Sequence, residues 1–244
     1  MTSYHGGKQR IGKRLAKVIY DTSLYISNEE DFDIKGYCEP FCGMLGVYQH
    51  IPKLFKKNIK YKAGDINKNV ILMWKKAQKG WFPDIKINKK EYDKLKHSKK
   101  ESALKGFIGH HCSFGGKYFD TFRPERCKKK MIDNTIDKIN DIGEELKNVS
   151  FQSGFYTQYS NLKNYVIYCD PPYSIFNKYY DDENNILNFN HKKFWDWCRK
   201  MSENNIIFIS EYKAPEDFAL IYLEKSSINH NTTTKNNFER LYVI

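Results

Sequence analysis

The chain has 244 residues, 40% of them hydrophobic, and carries a net charge of +12 from 41 basic and 29 acidic side chains. That is enough apolar material for one sizeable core, or for a catalytic domain with a smaller insertion, and it excludes a disordered chain. No apolar run reaches the roughly 18 residues of a membrane span, the start Met1-Thr-Ser-Tyr-His-Gly-Gly-Lys8 lacks the apolar stretch of a secretory signal, and six cysteines are too few for a secreted disulfide scaffold of this length.

In chain order, Ile11, Leu15, Val18, Ile19 and Ile26 recur with a helical period, which predicts a first helix over 11–26. Lys35 to Phe41 reads as a short strand entering a loop, Asn58 to Ala63 alternates like a second strand, and Asn67 to Lys79 is helical with Val70, Ile71 and Trp74 on one side. After Trp81-Phe-Pro the pattern changes. Asn88 to Lys105 is polar, basic and helical in part, Gly115-Gly116 marks a turn, and Pro124 to Leu146 reads as one long amphipathic helix through Met131, Ile132, Ile136, Ile139 and Ile142. Strand signals then resume at Val149 to Gln152 and, strongly, at Asn164 to Asp170. A helix over His191 to Glu203, a buried strand from Asn205 to Ser210 and short strands near Ala219 to Leu223 and Leu241 to Ile244 close the chain. Strands alternating with helices on both sides of a different middle segment predict an α/β sheet domain, residues 1–75 and 149–244, with an insertion at 76–148.

The cysteines at 38, 42, 112, 127, 169 and 198 read as reduced thiols of a cytosol-like compartment. His110, His111, Cys112 and Cys127 match no zinc spacing, and no metal is expected. The charge is unevenly spread: from Asp84 to Lys130, twelve lysines and two arginines face six acids, a net +8. Such a segment suits a polyanion, although a solvated lysine-rich surface has the same composition.

Four short segments carry chemistry. Asp170-Pro171-Pro172-Tyr173 follows the apolar strand Tyr165 to Cys169, where ligands bind in open α/β sheets. Two prolines remove two backbone donors, so the loop offers acceptors only. An amino group with two N–H donors fits it, one going to Asp170 and the other to the Pro171 carbonyl, with Tyr173 as a π face for a flipped base. Glu39-Pro40-Phe41-Cys42-Gly43-Met44-Leu45-Gly46 lets backbone approach a ligand closely, yet it matches neither the dinucleotide fingerprint nor a P-loop. In Gly64-Asp65-Ile66-Asn67 an acid ends the second strand, placed for ribose hydroxyls or for capping the next helix. In Tyr4-His-Gly6-Gly7-Lys8 two glycines beside a lysine can hold a carboxylate or phosphate, and a flexible basic start would look the same.

Together, and in this order, the four segments resemble the Dam-type, α-class DNA adenine-N6 methyltransferases, including phage and viral members. Gly6-Gly7-Lys8 resembles their G-G-K start, Glu39 to Gly46 their E-P-F-x-G-x-G loop, Asp65 to Asn67 their D-x-N motif, and Asp170 to Tyr173 their catalytic D-P-P-Y. Phe208-Ile-Ser-Glu-Tyr212, Ala214-Pro-Glu-Asp217-Phe and the closing Phe238 to Ile244 also resemble viral members. The likeness spans nearly the whole chain and is weakest from Phe82 to Lys105. Tyr4 stands where the family often has Trp or Phe, and Cys42 is unusual in the glycine loop.

The resemblance implies a Rossmann-like S-adenosylmethionine-dependent methyltransferase sheet with an inserted, mainly helical DNA-recognition domain. It implies methyl transfer to N6 of an adenine flipped out of duplex DNA, leaving S-adenosylhomocysteine. Cofactor contacts fall on Tyr4, Gly7, Lys8 (near the cofactor carboxylate), Glu39, Pro40, Phe41, Gly43, Gly46, Asp65, Ile66 and Asp170. Asp170, Pro171, Pro172 and Tyr173 are implied to be catalytic. Lys99, Lys100, Arg123, Arg126, Lys128, Lys129 and Lys130 are candidates for phosphates, with Lys117 and Tyr118 on a hairpin or loop that enters a groove or fills the vacated stack. Double-stranded DNA is the expected partner and a cognate restriction endonuclease a candidate one. No membrane association or secretion is expected, and the location is the cytoplasm or wherever viral or bacterial DNA resides. Two other readings remain open at this point: an RNA or protein-amide methyltransferase, and a catalytically dead methyltransferase fold kept as a DNA-binding module.

Overall fold

The structure, a computed structural model, describes residues 7–55, 59–173, 179–180, 186–187, 189–225 and 238–244. Among them, nine strands and seven α-helices follow in the order α1 (Gly12–Glu29), β1 (Gly36–Glu39), α2 (Ile51–Phe55), β2 (Lys60–Asp65), α3 (Lys68–Ala77), α4 (Lys89–His97), α5 (Ala103–His111), α6 (Lys129–Glu145), β3 (Ser150–Ser153), β4 (Tyr165–Cys169), β5 (Tyr179–Tyr180), β6 (Ile186–Leu187), α7 (His191–Ser202), β7 (Ile206–Ser210), β8 (Ala219–Lys225) and β9 (Phe238–Val243). No helix among the described residues is long and apolar enough to cross a membrane.

Seven strands form one sheet in the order β3-β2-β1-β4-β7-β9-β8, and β5 pairs with β6 in a separate antiparallel hairpin. β3, β2, β1, β4 and β7 run parallel, whereas β9 lies antiparallel between β7 and β8. This is a Rossmann-like sheet, as the resemblance implies, with an antiparallel pair at one edge. The order reverses between β1 and β4, the switch point at which open α/β sheets leave a crevice at their carboxyl ends.

The central strands are apolar because both faces are covered. β1, β4 and β7 are buried at every residue, as parallel strands between helical layers must be. Tyr37, Val166, Tyr168, Ile206 and Phe208 face one core with Leu15, Ile19 and Trp74. Their neighbours Cys38, Ile167, Cys169, Ile207 and Ile209 face the other, with Phe194, Trp197 and Met201 of α7. Residues 76–148 contribute to the first of these cores: Tyr92, Phe107, Phe119, Ile132, Ile136 and Ile139 lie in the same cluster as Leu15 and Val70. Four helices start on side-chain caps, Asn67, Asn88, Ser102 and Asn190, each accepting a backbone N–H that the helix leaves unpaired.

Two elements differ from expectation. The partly helical stretch 88–105 is two helices separated by an extended Ser98, and the second, α5, runs on to His111. Residues 105–111 of α5 are all buried, so it has no polar face to give it a period. Its Gly106 and Gly109 depress helix propensity, yet they permit contact: a Cβ on Gly106 would lie 2.3 Å from the Asn69 carbonyl oxygen of α3. The single helix expected over 124–146 is a 3₁₀ turn at Pro124–Cys127, an extended Lys128, and then α6. All six cysteines are free thiols, five of them buried.

Candidate active site

Four parallel strands end on, or are followed by, an acid: Glu39 closes β1, Asp65 closes β2, Asp170 follows β4 and Glu211 follows β7. The first three line one cleft at the switch point, together with Gly7, Lys8, Phe41, Gly43, Gly46 and Pro172. The sequence motifs thus converge although up to 162 residues separate them. Tyr4 lies outside the described residues. Pro40, Ile66 and Pro171 sit beside the cleft in sequence without lining it.

The glycine loop is held from three sides. Cys42 N–H donates to the Gly64 carbonyl at 2.7 Å, Gly43 N–H donates to Asp65 Oδ2 at 2.9 Å, and the Trp74 indole of α3 donates to the Gly43 carbonyl at 2.9 Å. Gly43 has φ 43° and the buried Leu45 φ 57°. A leucine in the left-handed region is strained, by on the order of 1–3 kcal/mol, and such strain concentrates in ligand-binding loops. Gly46 permits the N-terminal segment to cross: a Cβ there would lie 3.0 Å from the Lys8 backbone, and one on Gly12 would lie 1.9 Å from the Gly46 carbonyl oxygen. Lys8 therefore enters the cleft on a segment pressed against the glycine loop.

Asp65 is buried and also accepts Asn67 N–H on Oδ1 at 2.8 Å. Burial lifts its carboxyl to about 6 against the pull of those backbone donors. The Ile66 N–H also bonds the carboxylate, so three of its roughly four acceptor positions are taken and one stays open to a ligand hydroxyl. Asn67 caps α3, with its side chain on Asn69 N–H at 3.0 Å and Val70 N–H at 3.3 Å. Cap and acid divide the Asp65-Ile66-Asn67 motif between them.

Glu39 is buried and accepts the Tyr37 hydroxyl at 2.7 Å. Burial pushes its carboxyl well above the ordinary range. Lys8, 6% exposed, places its ammonium on both oxygens of Asp170, at 2.9 and 3.0 Å. Burial pushes the Asp170 carboxyl up and Lys8 opposes this, leaving it raised. In the reverse direction Asp170 and Glu239 hold the Lys8 ammonium above its usual value against the cost of burial. Lys8 was expected near a ligand carboxylate; here its bonds go to the acid of the Asp-Pro-Pro-Tyr loop.

Three acids and one lysine line the cleft. Its carboxyls lie above their ordinary values because burial costs the ionised form, and a positive group arriving beside them would favour ionisation. S-adenosylmethionine fits this donor set, with a sulfonium and an ammonium for the acids, a ribose hydroxyl for Asp65, and a chain thin enough to follow a glycine loop.

Several site residues escaped the sequence reading. Glu239 of β9 stands 3.8 Å from Lys8 and accepts the Tyr173 hydroxyl at 3.3 Å. Tyr212 packs perpendicular to the Tyr173 ring with centroids 4.7 Å apart, and Glu211 is buried with its Oε1 on Tyr212 N–H at 2.7 Å. Phe41 stacks on Tyr156 at 5.6 Å and meets Phe189 and Phe194 edge-on, forming an aromatic wall beside the cleft. The resemblance to the Phe-Ile-Ser-Glu-Tyr and closing-strand segments was the only signal for Glu211, Tyr212 and Glu239.

The expected polyanion contacts lie elsewhere on the chain. Lys99 and Lys100 are exposed between α4 and α5, Lys117 is exposed, and Lys128, Lys129 and Lys130 are exposed where α6 begins. Tyr118 is half-buried against His110. Arg126 is half-buried, and Arg123 pairs with Glu125 and covers the exposed Phe114 ring at 5.7 Å. The expected hairpin is a single bridge between Ser113 and Phe122 around a 3₁₀ turn at Phe114–Gly116.

The chain matches no family model and no curated protein. Among solved structures it is similar to the rRNA methyltransferase aviRa from Streptomyces viridochromogenes, at 10% identity and TM-score 0.43 over 95% of this chain and 84% of that one. It is also similar to TrmN from Thermus thermophilus, at 10% identity and TM-score 0.38 over 97% of this chain and 52% of that one. The strand order, not these distant likenesses, carries the fold assignment.

Proposed function

We propose that the chain is an S-adenosylmethionine-dependent methyltransferase acting on N6 of an adenine flipped out of duplex DNA. The observation that carries this reading is the placement of Asp170 in the Asp-Pro-Pro-Tyr loop at the β1/β4 switch point, in one cleft with Lys8, the glycine loop and Asp65.

When bound, S-adenosylmethionine supplies a methyl group already activated on a sulfonium, so no metal is needed. The chain's task is positioning and electrostatics. Gly43 and Gly46 would admit the methionine portion, Asp65 would accept a hydrogen bond from the ribose, and Phe41 would line the cofactor's side of the cleft. Asp170, ionised, accepts one N–H of the target amine and the Pro171 carbonyl accepts the other. The nitrogen lone pair would thereby be drawn from conjugation and aimed at the methyl carbon, the N–C bond forming as the C–S bond breaks and S-adenosylhomocysteine leaves. The proton lost from nitrogen after transfer leaves through Asp170. Tyr173 supports the flipped base.

Duplex DNA as the substrate is supported by the basic segment. Lys128, Lys129 and Lys130 sit at the start of α6, a helix end with no side-chain cap and no acid in its first turn. Cations there oppose the helix dipole, and a phosphate beside them would remove the conflict. Sequencing of DNA from cells expressing the protein, with a readout of N6-methyladenine, tests the activity and reveals the recognition site together. Modified adenine at one recurring sequence is expected, and its absence alongside methylated RNA or protein would assign the methyl group elsewhere.

A further inference from the structure

Three segments far apart in the chain meet beside Asp170: Lys8 from the N-terminal segment, Tyr173 from the loop after β4, and Glu239 from β9. The Tyr173 hydroxyl donates to Glu239 Oε2 at 3.3 Å. Lys8 Nζ stands 3.8 Å from the same oxygen and 4.9 Å from the centre of the Tyr173 ring. Tyr212 packs perpendicular to the Tyr173 ring, with centroids 4.7 Å apart and an interplanar angle of 84°. The hydroxyl also interacts with the Asp170 side chain, so the ring is held at its hydroxyl between two acids, of which Glu239 is the one outside the cleft, and is packed by Lys8 and Tyr212.

The ion pair with Lys8 explains only part of the placement of Glu239. Lys8 already has both Asp170 oxygens within 3.0 Å, and Glu239 lies beyond hydrogen-bond distance of it. Glu239 is only 17% exposed and places a second negative charge beside Asp170, which pushes the Asp170 carboxyl up. Desolvation and like-charge repulsion both act against such an arrangement. What the carboxylate gains is orientation of its neighbours. A tyrosine ring has two side-chain torsions, and a bond at its far end fixes both.

We infer, resting on the function proposed above, that Glu239 is a positioning residue for methyl transfer: it anchors the Tyr173 hydroxyl and, opposite Asp170, flanks the Lys8 ammonium, so that the aromatic platform for the target base is set before the base arrives. Glu239 does not line the cleft and acts through Tyr173. Its effect falls on the rate rather than on cofactor affinity, because small losses of orientation at the reacting centre are paid in the transition state.

The test combines a double-variant cycle with a measurement that needs no activity. Protein labelled with ¹³C at the tyrosine ζ carbon shows the Tyr173 resonance as the one absent from Tyr173→Phe. That resonance is expected to move in Glu239→Ala and to stay near its original position in Glu239→Gln, whose amide oxygen still accepts the hydroxyl. In methyl transfer, Glu239→Ala and Tyr173→Phe are each expected to lower kcat about tenfold, the double variant no further than either alone, and Glu239→Gln to recover part of the loss, while the KM for S-adenosylmethionine stays within about twofold. An unmoved resonance in Glu239→Ala, or losses that multiply in the double variant, would overturn the assignment. A wild-type protein that methylates no adenine would defeat the proposed function separately, since the resonance still decides whether Glu239 anchors Tyr173.

Discussion

Asp170 is useful to an incoming amine only while ionised, and its environment is divided on that point. Burial and Glu239 favour the protonated form, whereas Lys8, bonded to both oxygens, and to a smaller degree the Tyr173 hydroxyl favour the carboxylate. Replacing Lys8 with Met removes the chief influence that holds the Asp170 pKa down, so the pKa rises further. The acid limb of the pH–rate profile for kcat/KM is then expected to move to higher pH, with activity recovering as the medium is made more alkaline. A profile that keeps its position would mean that Lys8 does not tune Asp170. The same ion pair gives Lys8 a second role beyond the expected contact with the cofactor carboxylate. The Gly-Gly-Lys motif was visible in the sequence, but the partner of its lysine, 162 positions downstream, was not.

At the scale of elements, the glycine loop depends on α3. Asn67 caps the helix, and Trp74, two turns on, hydrogen-bonds the Gly43 carbonyl. Asn67→Ala is expected to cost about 1 kcal/mol of stability, read by denaturant unfolding, and to weaken S-adenosylmethionine binding by loosening the start of α3 beside Asp65. Equal cofactor affinity in the variant would show that the cap serves the helix alone. The buried strands β4 and β7 were legible because continuous apolar runs between polar residues have few alternatives, as in Tyr165 to Cys169 and Ile206 to Ile209, and β1 was legible as a short run between Gly36 and Pro40. α6 was legible from its isoleucine stripe, except at its first turn, where Pro124 begins a 3₁₀ turn and Lys128 is extended. α5 was not: a helix covered on nearly every side, with two glycines and two histidines, has neither period nor propensity. The candidate site was legible as four motifs and their order. Glu239 and Tyr212 were not, because their importance comes from the crossing of β9 and the β7 loop toward Asp170, which no local pattern records.

Over the whole molecule, charge is divided by region. Acids gather at the carboxyl ends of the parallel strands, while the segment from Asp84 to Lys130 holds +8 of the net +12. If that segment meets phosphates, reversing Lys128, Lys129 and Lys130 to glutamate should weaken DNA binding alike on all sequences and flatten the dependence of log K on log salt by roughly 2–3 in slope. A variant that changed only which site is methylated would place these lysines at bases instead. The account rests most directly on the carboxylate at the switch point. Purified protein is incubated with S-adenosylmethionine labelled in the methyl group and with duplex DNA, and the product nucleosides are then separated, for the wild type beside Asp170→Ala. The account predicts label in N6-methyldeoxyadenosine for the wild type and none for Asp170→Ala, although the variant still folds and binds DNA. Near-normal transfer by Asp170→Ala, or label from the wild type in any other nucleoside, would contradict it.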